Sequence, residues 1–317
     1  MPRGAMMAEV HDLLQEHGRQ HVLQLDMDRR VVDAAAAYLT DEDAGLGFMY
    51  SGWAQAPLPH KKQPDSAPWQ VRTDRVTLLV EPGRRTLPNG ELQWIGVPYG
   101  SRARLILLYL QTEALRTQSR EIELGKSLRD WLKKMNISPG GKTIADVREQ
   151  ALRITRCRLT FEVQQAGKSA LVQQLIVDKA LFTEDGDDSS GGQLLARTKL
   201  SETFYDQLRR HPVPIQESAI RAISKHSMAL DIYCWLAYRL HVLQKDTPIT
   251  WKGLHAQFGA GVKRLDHFRD TFCAQLNLAL AVYPEAVVKL SAVGLTLVPS
   301  PPPVEPKRTV VAFPRSR

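Results

Sequence analysis

Basic and hydroxyl side chains recur on the polar face of two segments whose apolar residues have helical spacing. In the first segment, Thr143 to about Arg156, the basic residues on or beside this face are Lys142, Arg148, Arg153 and Arg156. In the second, Val262 to about Tyr283, the corresponding residues are Lys263, Arg264, His267 and Thr271. Arg and Lys donate hydrogen bonds to guanine edges and phosphates, and Thr contacts a thymine methyl group. All eight are therefore candidates for contact with DNA.

Lys168, at the tip of a predicted hairpin, is a further candidate for a phosphate contact. The alternative for each of these residues is a solvated surface position with internal ion pairs, such as Glu149 with Arg153 four residues apart.

Three short stretches match only the end of a nucleotide phosphate-binding loop: Gly125-Lys126-Ser127, Gly141-Lys142-Thr143 and Gly167-Lys168-Ser169. The complete motif needs another glycine five positions before the last one. Those positions hold Arg120, Asn136 and Glu162. We therefore expect no nucleotide cofactor.

The sequence also lacks the usual spacing of a catalytic or metal site. Its nine histidines form no His-x-His pair and no His-Glu-x-x-His motif. Tyr205, Tyr233 and Tyr238 have no base or metal cluster near them in sequence, so we interpret them as core or interface residues. We expect no catalytic residues, no metal and no enzymatic activity.

The elements that position the basic residues occur in the same order twice. Helix, short strand, helix, helix and hairpin is the order of a winged helix, a helix-turn-helix variant whose third helix can lie in a major groove. The first copy comprises 102–118, 120–124, a helix after Ser127 that buries Trp131, 143–156, and a hairpin of 158–163 with 171–177. The second comprises 227–243, 248–251, 251–258, 262–283, and a hairpin of 286–290 with 294–298. The predicted fold is α+β, with two tandem winged helices.

The remaining segments give the predicted domain boundaries. Residues 1–75 are an N-terminal arm, 76–183 the first winged helix and 198–300 the second. Residues 184–197 are predicted as a flexible linker, because EDGDDSSGG is acidic and then rich in Ser and Gly. The basic, proline-rich residues 301–317 are predicted to be a disordered tail.

Composition favours a polyanionic partner in a reducing compartment. The net charge is +8 and the isoelectric point about 9.4. Cys157, Cys234 and Cys273 are far apart, so we interpret them as packing residues without disulfides. The N-terminus lacks the apolar core of a signal peptide, and no apolar run is long enough to span a membrane. We expect a cytoplasmic protein.

Several long motifs resemble the RepA family of plasmid replication initiators. They are GVPYGSRARLILLYLQTEALRTQSREIELGKSL, SPGGKT, REQALRI, LSETFYDQLRRHPVPI, SMALDIYCWLAYRL, WKGLHAQFG, GLTLVPSPPPV and the arm segment GFMYSGWAQAPLPHKK. The resemblance extends from about Asp41 to Val304. It implies a bacterial protein that binds direct repeats (iterons) in double-stranded origin DNA, helps to open the origin, and recruits the host replication initiator and replicative helicase. It also implies possible homodimers, through the first winged helix, that repress the protein's own gene or limit copy number.

The resemblance further implies that the second winged helix reads bases, through Lys263, Arg264, His267 and Thr271. Arg148, Arg153 and Arg156 would then contact the DNA backbone. A transcriptional repressor with the same fold and no initiator activity is the alternative, and a protein-interaction scaffold that never touches DNA is another. A nicking enzyme would need a histidine–metal pair and a placed tyrosine, and the sequence shows neither.

Overall fold

The computed structural model describes residues 3–43, 45–124, 130, 132–133, 135, 137, 141–165, 168–184 and 193–305. These residues form a mixed α+β structure of helices and small antiparallel sheets. The predicted fold class is therefore confirmed. Trp131, predicted to be a core residue of the first unit, lies outside the described residues.

The N-terminal region is a set of ordered elements: α1 (Arg3–Val22), α2 (Arg29–Leu39), β1 (Leu46–Tyr50), α3 (Ser51–Gln55), β2 (Trp69–Arg72), β3 (Val76–Glu81), β4 (Gly83–Thr86) and β5 (Leu92–Gly96). Asp28 begins α2 by accepting a hydrogen bond from the Arg30 amide, which satisfies one of the unpaired N–H groups of a helix start. Val31 and Val32 are buried on the inner face of this helix.

The first unit begins with a helix that is buried almost all round. The elements of this unit are α4 (Gly100–Thr117), β6 (Glu121–Glu123), α5 (Gly141–Arg156), β7 (Arg158–Gln165), β8 (Lys168–Leu175), β9 (Val177–Glu184) and β10 (Gln193–Leu200). Asp130, Leu132 and Lys133 are also helical. The spacing predicts Ile144, Val147, Ala151 and Ile154 as the apolar stripe of α5. The last three are buried, and Ile144 is partly buried.

The second unit follows a short connecting region. The connecting elements are α6 (Glu202–Arg210), β11 (Pro212–Gln216) and α7 (Glu217–Ala222). The unit itself comprises α8 (Ser227–Arg239), a 3-10 turn (Leu240–Val242), β12 (Thr247–Thr250), α9 (Trp251–Phe258), α10 (Leu265–Ala281), β13 (Val288–Leu290) and β14 (Gly294–Leu297). Phe268, Phe272 and Leu276 are buried along α10, as their spacing predicts.

Strand pairing gives both units the same sheet topology. The first unit has the strand order β6–β10–β9 and the second β12–β14–β13. In each, the strand that follows the first helix pairs with the last strand of a later hairpin, which is the strand order of a winged helix.

The hairpin of the first unit is not the one that the sequence predicts. The predicted hairpin does form, as β7 and β8, but β7 pairs with β3 of the N-terminal region. Together these strands make a four-stranded sheet in the order β2–β3–β7–β8. The wing is instead β9 with β10. The alternation of apolar residues identifies strands, but it does not identify their partners.

This pairing also changes the predicted linker, 184–197. Glu184 belongs to β9, and residues 193–200 form β10, paired to β9 and β6. Residues 185–192 lie outside the described residues. The acidic and Ser/Gly-rich run thus falls between two paired strands of one unit. A run of turn-forming residues has the same composition in a hairpin as in a linker between domains.

The prediction of a disordered tail is wrong for residues 301–305. The carbonyl of Pro301 accepts a hydrogen bond of 2.6 Å from the Tyr283 hydroxyl, and the carbonyl of Pro303 accepts one of 2.6 Å from the Gln216 side-chain amide. Prolines keep their carbonyl acceptors, so an extended proline segment can still be held against a folded surface. Residues 306–317 lie outside the described residues.

The N-terminal region joins both units. Helices α1 and α2 pack against α10, and the His11 ring nitrogen Nε2 lies 2.8 Å from the Ala281 carbonyl at its end. Strand β1 pairs with β11 just before the second unit. The chain then passes over α4 and α5 before it enters the first unit.

One buried arginine connects the two units and the N-terminal region. The Arg104 guanidinium on α4 donates two hydrogen bonds, of 2.6 and 2.7 Å, to the Asp231 carboxylate on α8. It also donates to the carbonyls of Leu58, Pro59 and Gly100. The side chains of Arg104 and Asp231 are only 7% and 11% exposed. The first helices of the two units are thus held in one relative orientation.

We predict that Asp231→Ala lowers the free energy of unfolding by about 3–5 kcal/mol, because it leaves a buried guanidinium without its counter-ion. Urea unfolding measures this change. The matched control is Asp246→Ala, which breaks an ion pair with Lys289 in which both side chains are 51% exposed. The control should lose less than about 1 kcal/mol. Equal losses in the two variants would contradict the role of the buried pair.

Candidate nucleic-acid interface

The start of α10 presents polar side chains to solvent. Lys263 and Arg264 precede the helix, and His267 and Thr271 lie one turn apart on it; all four are exposed. Only Phe268 and Phe272 are buried in the first two turns. The structure therefore brings together the four residues predicted to read bases.

The first turn differs from the prediction in one respect. The helix begins at Leu265 rather than near Val262, and Leu265 is 44% exposed. Arg264 occupies the cap position in an extended conformation, so it leads into the helix instead of lying on its side. This places Lys263 and Arg264 at the helix N-terminus, which is also favourable for an approaching phosphate.

Arg264 is held by a local ion pair. Its guanidinium pairs with the Asp266 carboxylate two residues away, with Nε 3.1 Å from Oδ1. The Arg264 hydrogen bond, together with the His267 amide, lowers the pKa of Asp266. Both partners are well exposed, so the pair can exchange for contacts to DNA at little cost. Sequence reasoning did not include Asp266, although the spacing of Arg264 and Asp266 is visible in the sequence.

A second cation on α10 was missed by the sequence reasoning. The Arg269 guanidinium lies 5.0 Å from the ring centroid of Trp251, at the start of α9. Asp266, Arg269 and Asp270 line a cleft between α10 and the β13–β14 turn. Carboxylates accept hydrogen bonds from cytosine, so the cleft carries groups for more than one base. Trp251 and Arg269 lie on different helices, so the periodicity within either helix does not predict their contact.

The equivalent face of α5 in the first unit is occupied by the chain itself. The Arg153 side chain is 3% exposed and donates hydrogen bonds to the Val97 carbonyl at 3.1 Å, to Asp65 at 2.7 Å and to Glu149 at 2.8 Å. Lys62 donates to the same Glu149 carboxylate at 3.1 Å. Arg153 is therefore a buried structural residue in this structure, which does not present its side chain for contact with DNA.

The other predicted residues of the first unit are scattered. Arg156 is exposed, and its guanidinium donates to the Arg84 carbonyl of β4 at 3.0 Å. Lys142 is exposed at the start of α5, whereas Arg148 is partly buried. Lys168 begins β8, outside the winged-helix sheet, and its side chain is not among the described ones. The first unit thus shows no cluster equivalent to that at the start of α10 among its described side chains.

Two glycines allow the backbone of the N-terminal region to pack closely against α5. A Cβ atom added at Gly83 would lie 2.2 Å from the Arg156 carbonyl oxygen. Gly96 has a φ of +79°, and a Cβ there would lie 1.9 Å from the Arg153 guanidinium. Glycine at these positions lets β4 and β5 lie directly on the helix.

The family comparison identifies the region that contains the first unit. Residues 97–252 match the family model described as plasmid encoded RepA protein. This region belongs to the RepA family of plasmid replication initiators. The RepA match begins just before α4 and ends at the start of α9, so it includes Arg104 and Asp231 and stops short of α10. No curated protein matches the sequence.

A solved structure of similar fold extends the comparison to most of the chain. The structure is similar to domains 2 and 3 of RctB, with a TM-score of 0.51 and 12% identity, covering 81% of this chain and 99% of that one. Another structure of RctB domains 2–3 has a TM-score of 0.44 and 10% identity, covering 76% and 87%. At 12% identity, the first likeness concerns the fold alone.

The described residues contain no group of three or more His, Cys, Asp and Glu side chains that could hold a metal ion. In the same part of the chain, no helix is both long and apolar enough to cross a membrane. Cys157 and Cys234 are buried, as predicted for packing residues, and burial raises the pKa of the Cys157 thiol to about 12.

We predict that Arg153→Ala lowers the free energy of unfolding by about 3 kcal/mol, because Asp65 and the Val97 carbonyl lose a charged donor. The dependence of DNA affinity on salt should not change, since this guanidinium is not at the surface. Urea unfolding and a salt titration of DNA binding measure the two effects. A smaller salt dependence in a variant of normal stability would restore Arg153 as a DNA contact.

Proposed function

We propose that the protein initiates plasmid replication by binding repeated sequences at the plasmid origin through the second winged helix. The observation that carries the proposal is the exposed cluster of Lys263, Arg264, His267 and Thr271 at the start of α10. It lies beside a region that belongs to an initiator family. The net charge of +8 supports a polyanionic partner.

The two units have different roles in this proposal. The second unit places the start of α10 in a major groove and reads bases. In the first unit, Lys62, Asp65 and β4 cover the face of α5, so this face does not read bases. The role of the first unit is limited to contacts with the DNA backbone. Lys142, at the exposed start of α5, is its candidate for a phosphate contact.

Further steps of initiation rest on the family resemblance. After binding, the protein opens an adjacent AT-rich segment and recruits the host replication initiator and helicase in the cytoplasm. It represses its own gene when it occupies the promoter. It acts without catalysis; Tyr233, one of the tyrosines considered as nucleophiles, supports this view, because its hydroxyl accepts a hydrogen bond from the Gln216 amide and burial raises its pKa.

The direct test is a titration of the protein against the non-coding DNA that flanks its gene, with a scrambled duplex for comparison, at two salt concentrations. Preference for the native duplex by about 10³ or more at the higher salt supports specific binding. Protection of regularly spaced direct repeats supports the initiator. Protection of a single inverted repeat, with no replication of an origin plasmid, supports the repressor instead.

Lys263→Ala combined with Arg264→Ala should remove most of this preference, because each side chain contributes about 1–3 kcal/mol if it contacts a base. The slope of log affinity against log salt should fall by up to about two if both contact phosphates. Binding assays with the native and scrambled duplexes measure both quantities.

Arg116→Ala is the matched control for these substitutions. It removes an exposed cation from the last turn of α4, where Arg116 pairs with Glu113. It should leave the preference unchanged. If the double variant keeps the preference of the unmodified protein, α10 does not read the sequence.

A homodimer through the edge of the four-stranded sheet is the second part of the proposal. Strand β8 is the last strand of this sheet, and residues 169–175 carry no charge. Leu171 is 58% exposed and Leu175 43% exposed. An exposed edge strand offers unpaired backbone groups to another strand, and two copies of β8 can pair without charge repulsion.

Leu171→Lys should therefore shift the protein toward monomers, because it places like charges next to each other across the paired strands. Sedimentation equilibrium measures the dimer dissociation constant, which should rise about tenfold or more. Leu92→Lys, at another exposed leucine (62% exposed), is the control. A dimer that tolerates Leu171→Lys would use a different surface.

A further inference from the structure

A polar pocket lies where the first helices of the two units begin. Gly100, Ser101 and Arg102 at the start of α4 form one side, and Lys225 and Ser227 at the start of α8 form another. His60 and Asp146 complete the lining used here. The two units and the N-terminal region thus meet around one opening.

Both helices reach this pocket without a side-chain cap. Neither Tyr99 before α4 nor His226 before α8 makes a capping hydrogen bond. The helices are 18 and 13 residues long, so each has a full macrodipole with its positive end here. The Gly100 amide is bonded to the Pro59 carbonyl, whereas the next amides of α4 have no intrahelical acceptor.

Two buried nitrogen atoms at the pocket lack hydrogen-bond partners among the described residues. They are Nη1 of Arg102 and Nε2 of His60. The other ring nitrogen of His60, Nδ1, lies 3.1 Å from the Ser227 hydroxyl. The guanidinium of Arg102 can only donate hydrogen bonds, so its buried N–H group needs an acceptor.

Charge gives the pocket its preference for anions. Arg102 and Lys225 are cationic, and Asp146 is the carboxylate that opposes them. Burial lowers the pKa of Arg102, with Asp146 acting in the opposite direction. Burial and the nearby Arg104 hold the pKa of His60 well below its usual range, so His60 stays neutral. An unpaired buried guanidinium N–H is costly, and an anionic acceptor would remove that cost.

We propose that this pocket binds a phosphate group, either of the DNA backbone or of a phosphate-bearing small molecule. Phosphate has the compact shape and the several acceptor oxygens that this set of donors requires. Bound there, it would connect α4 to α8 next to the Arg104–Asp231 ion pair. It would thereby strengthen the fixed orientation of the two units.

The first test titrates inorganic phosphate against the full-length protein, with chloride keeping the ionic strength constant. Saturation should raise the melting temperature by about 2–4 °C relative to chloride. Lys225→Gln should remove most of this rise, and Arg102→Gln nearly all of it. Lys225 is exposed in the loop before α8, so Lys225→Gln should fold normally. This variant therefore tests the proposal even if Arg102→Gln does not fold.

The matched control is Arg116→Gln, at the other end of α4 and about 21 Å from Arg102 at 1.5 Å per residue. This variant experiences the same general effect of phosphate on protein stability, and it should keep the full rise. A rise of equal size in Lys225→Gln, Arg102→Gln and Arg116→Gln, or no rise in the unmodified protein, would overturn the proposal.

The second test identifies the source of the phosphate. If a DNA phosphate occupies the pocket, Lys225→Gln should lower the salt slope of duplex binding by about 0.9. If the slope stays unchanged while the thermal response to phosphate is lost, a phosphate-bearing small molecule is the ligand. The thermal test uses no DNA, so its outcome is independent of whether the protein binds an origin.

Discussion

The Arg104 guanidinium sets the relative geometry of the two units. It holds α4 of the first unit, α8 of the second and the segment at Leu58 and Pro59 in one network. Burying two charges requires the removal of their hydration, and burial raises the pKa of Asp231 even beside Arg104. A pair of apolar residues could hold the helices together as strongly. The charged pair adds direction, because its hydrogen bonds are satisfied in only one relative orientation.

That orientation separates the roles of two units with the same topology. In the first, Glu149 and Arg153 on α5 are engaged by Lys62 and Asp65. In the second, α10 packs on α1 and α2, and the polar side chains of its first two turns remain exposed. The N-terminal region therefore determines which third helix is available to DNA. A winged-helix topology alone would have suggested two equivalent reading helices.

Local periodicity predicted both helices of the site, including the buried Val147, Ala151 and Ile154 of α5. It placed the start of α10 too early and predicted Leu265 as buried, whereas Leu265 is exposed. It also placed Lys263, Arg264, His267 and Thr271 on one exposed helix start. The strand partners were not predictable in this way, since β7 pairs with β3 through contacts distant in sequence. Arg153 shows the same limit, because its partner Asp65 lies 88 positions away. Its position opposite the apolar stripe says nothing about what covers it.

The separation along the chain between a basic residue and its partners therefore distinguishes structural residues from those available to a ligand. Arg104 and Arg153 bond to residues far away in the chain, so their substitution disturbs the fold. The partner described for Arg264 is two residues away and exposed, so this guanidinium can change partners when DNA arrives. Arg102 belongs to a third class, because one of its N–H groups is buried without an acceptor among the described residues. Desolvation without compensation is unfavourable in the protein alone. It becomes favourable when an anion supplies the missing acceptor, which is why the pocket at the two helix starts is best understood as a ligand site.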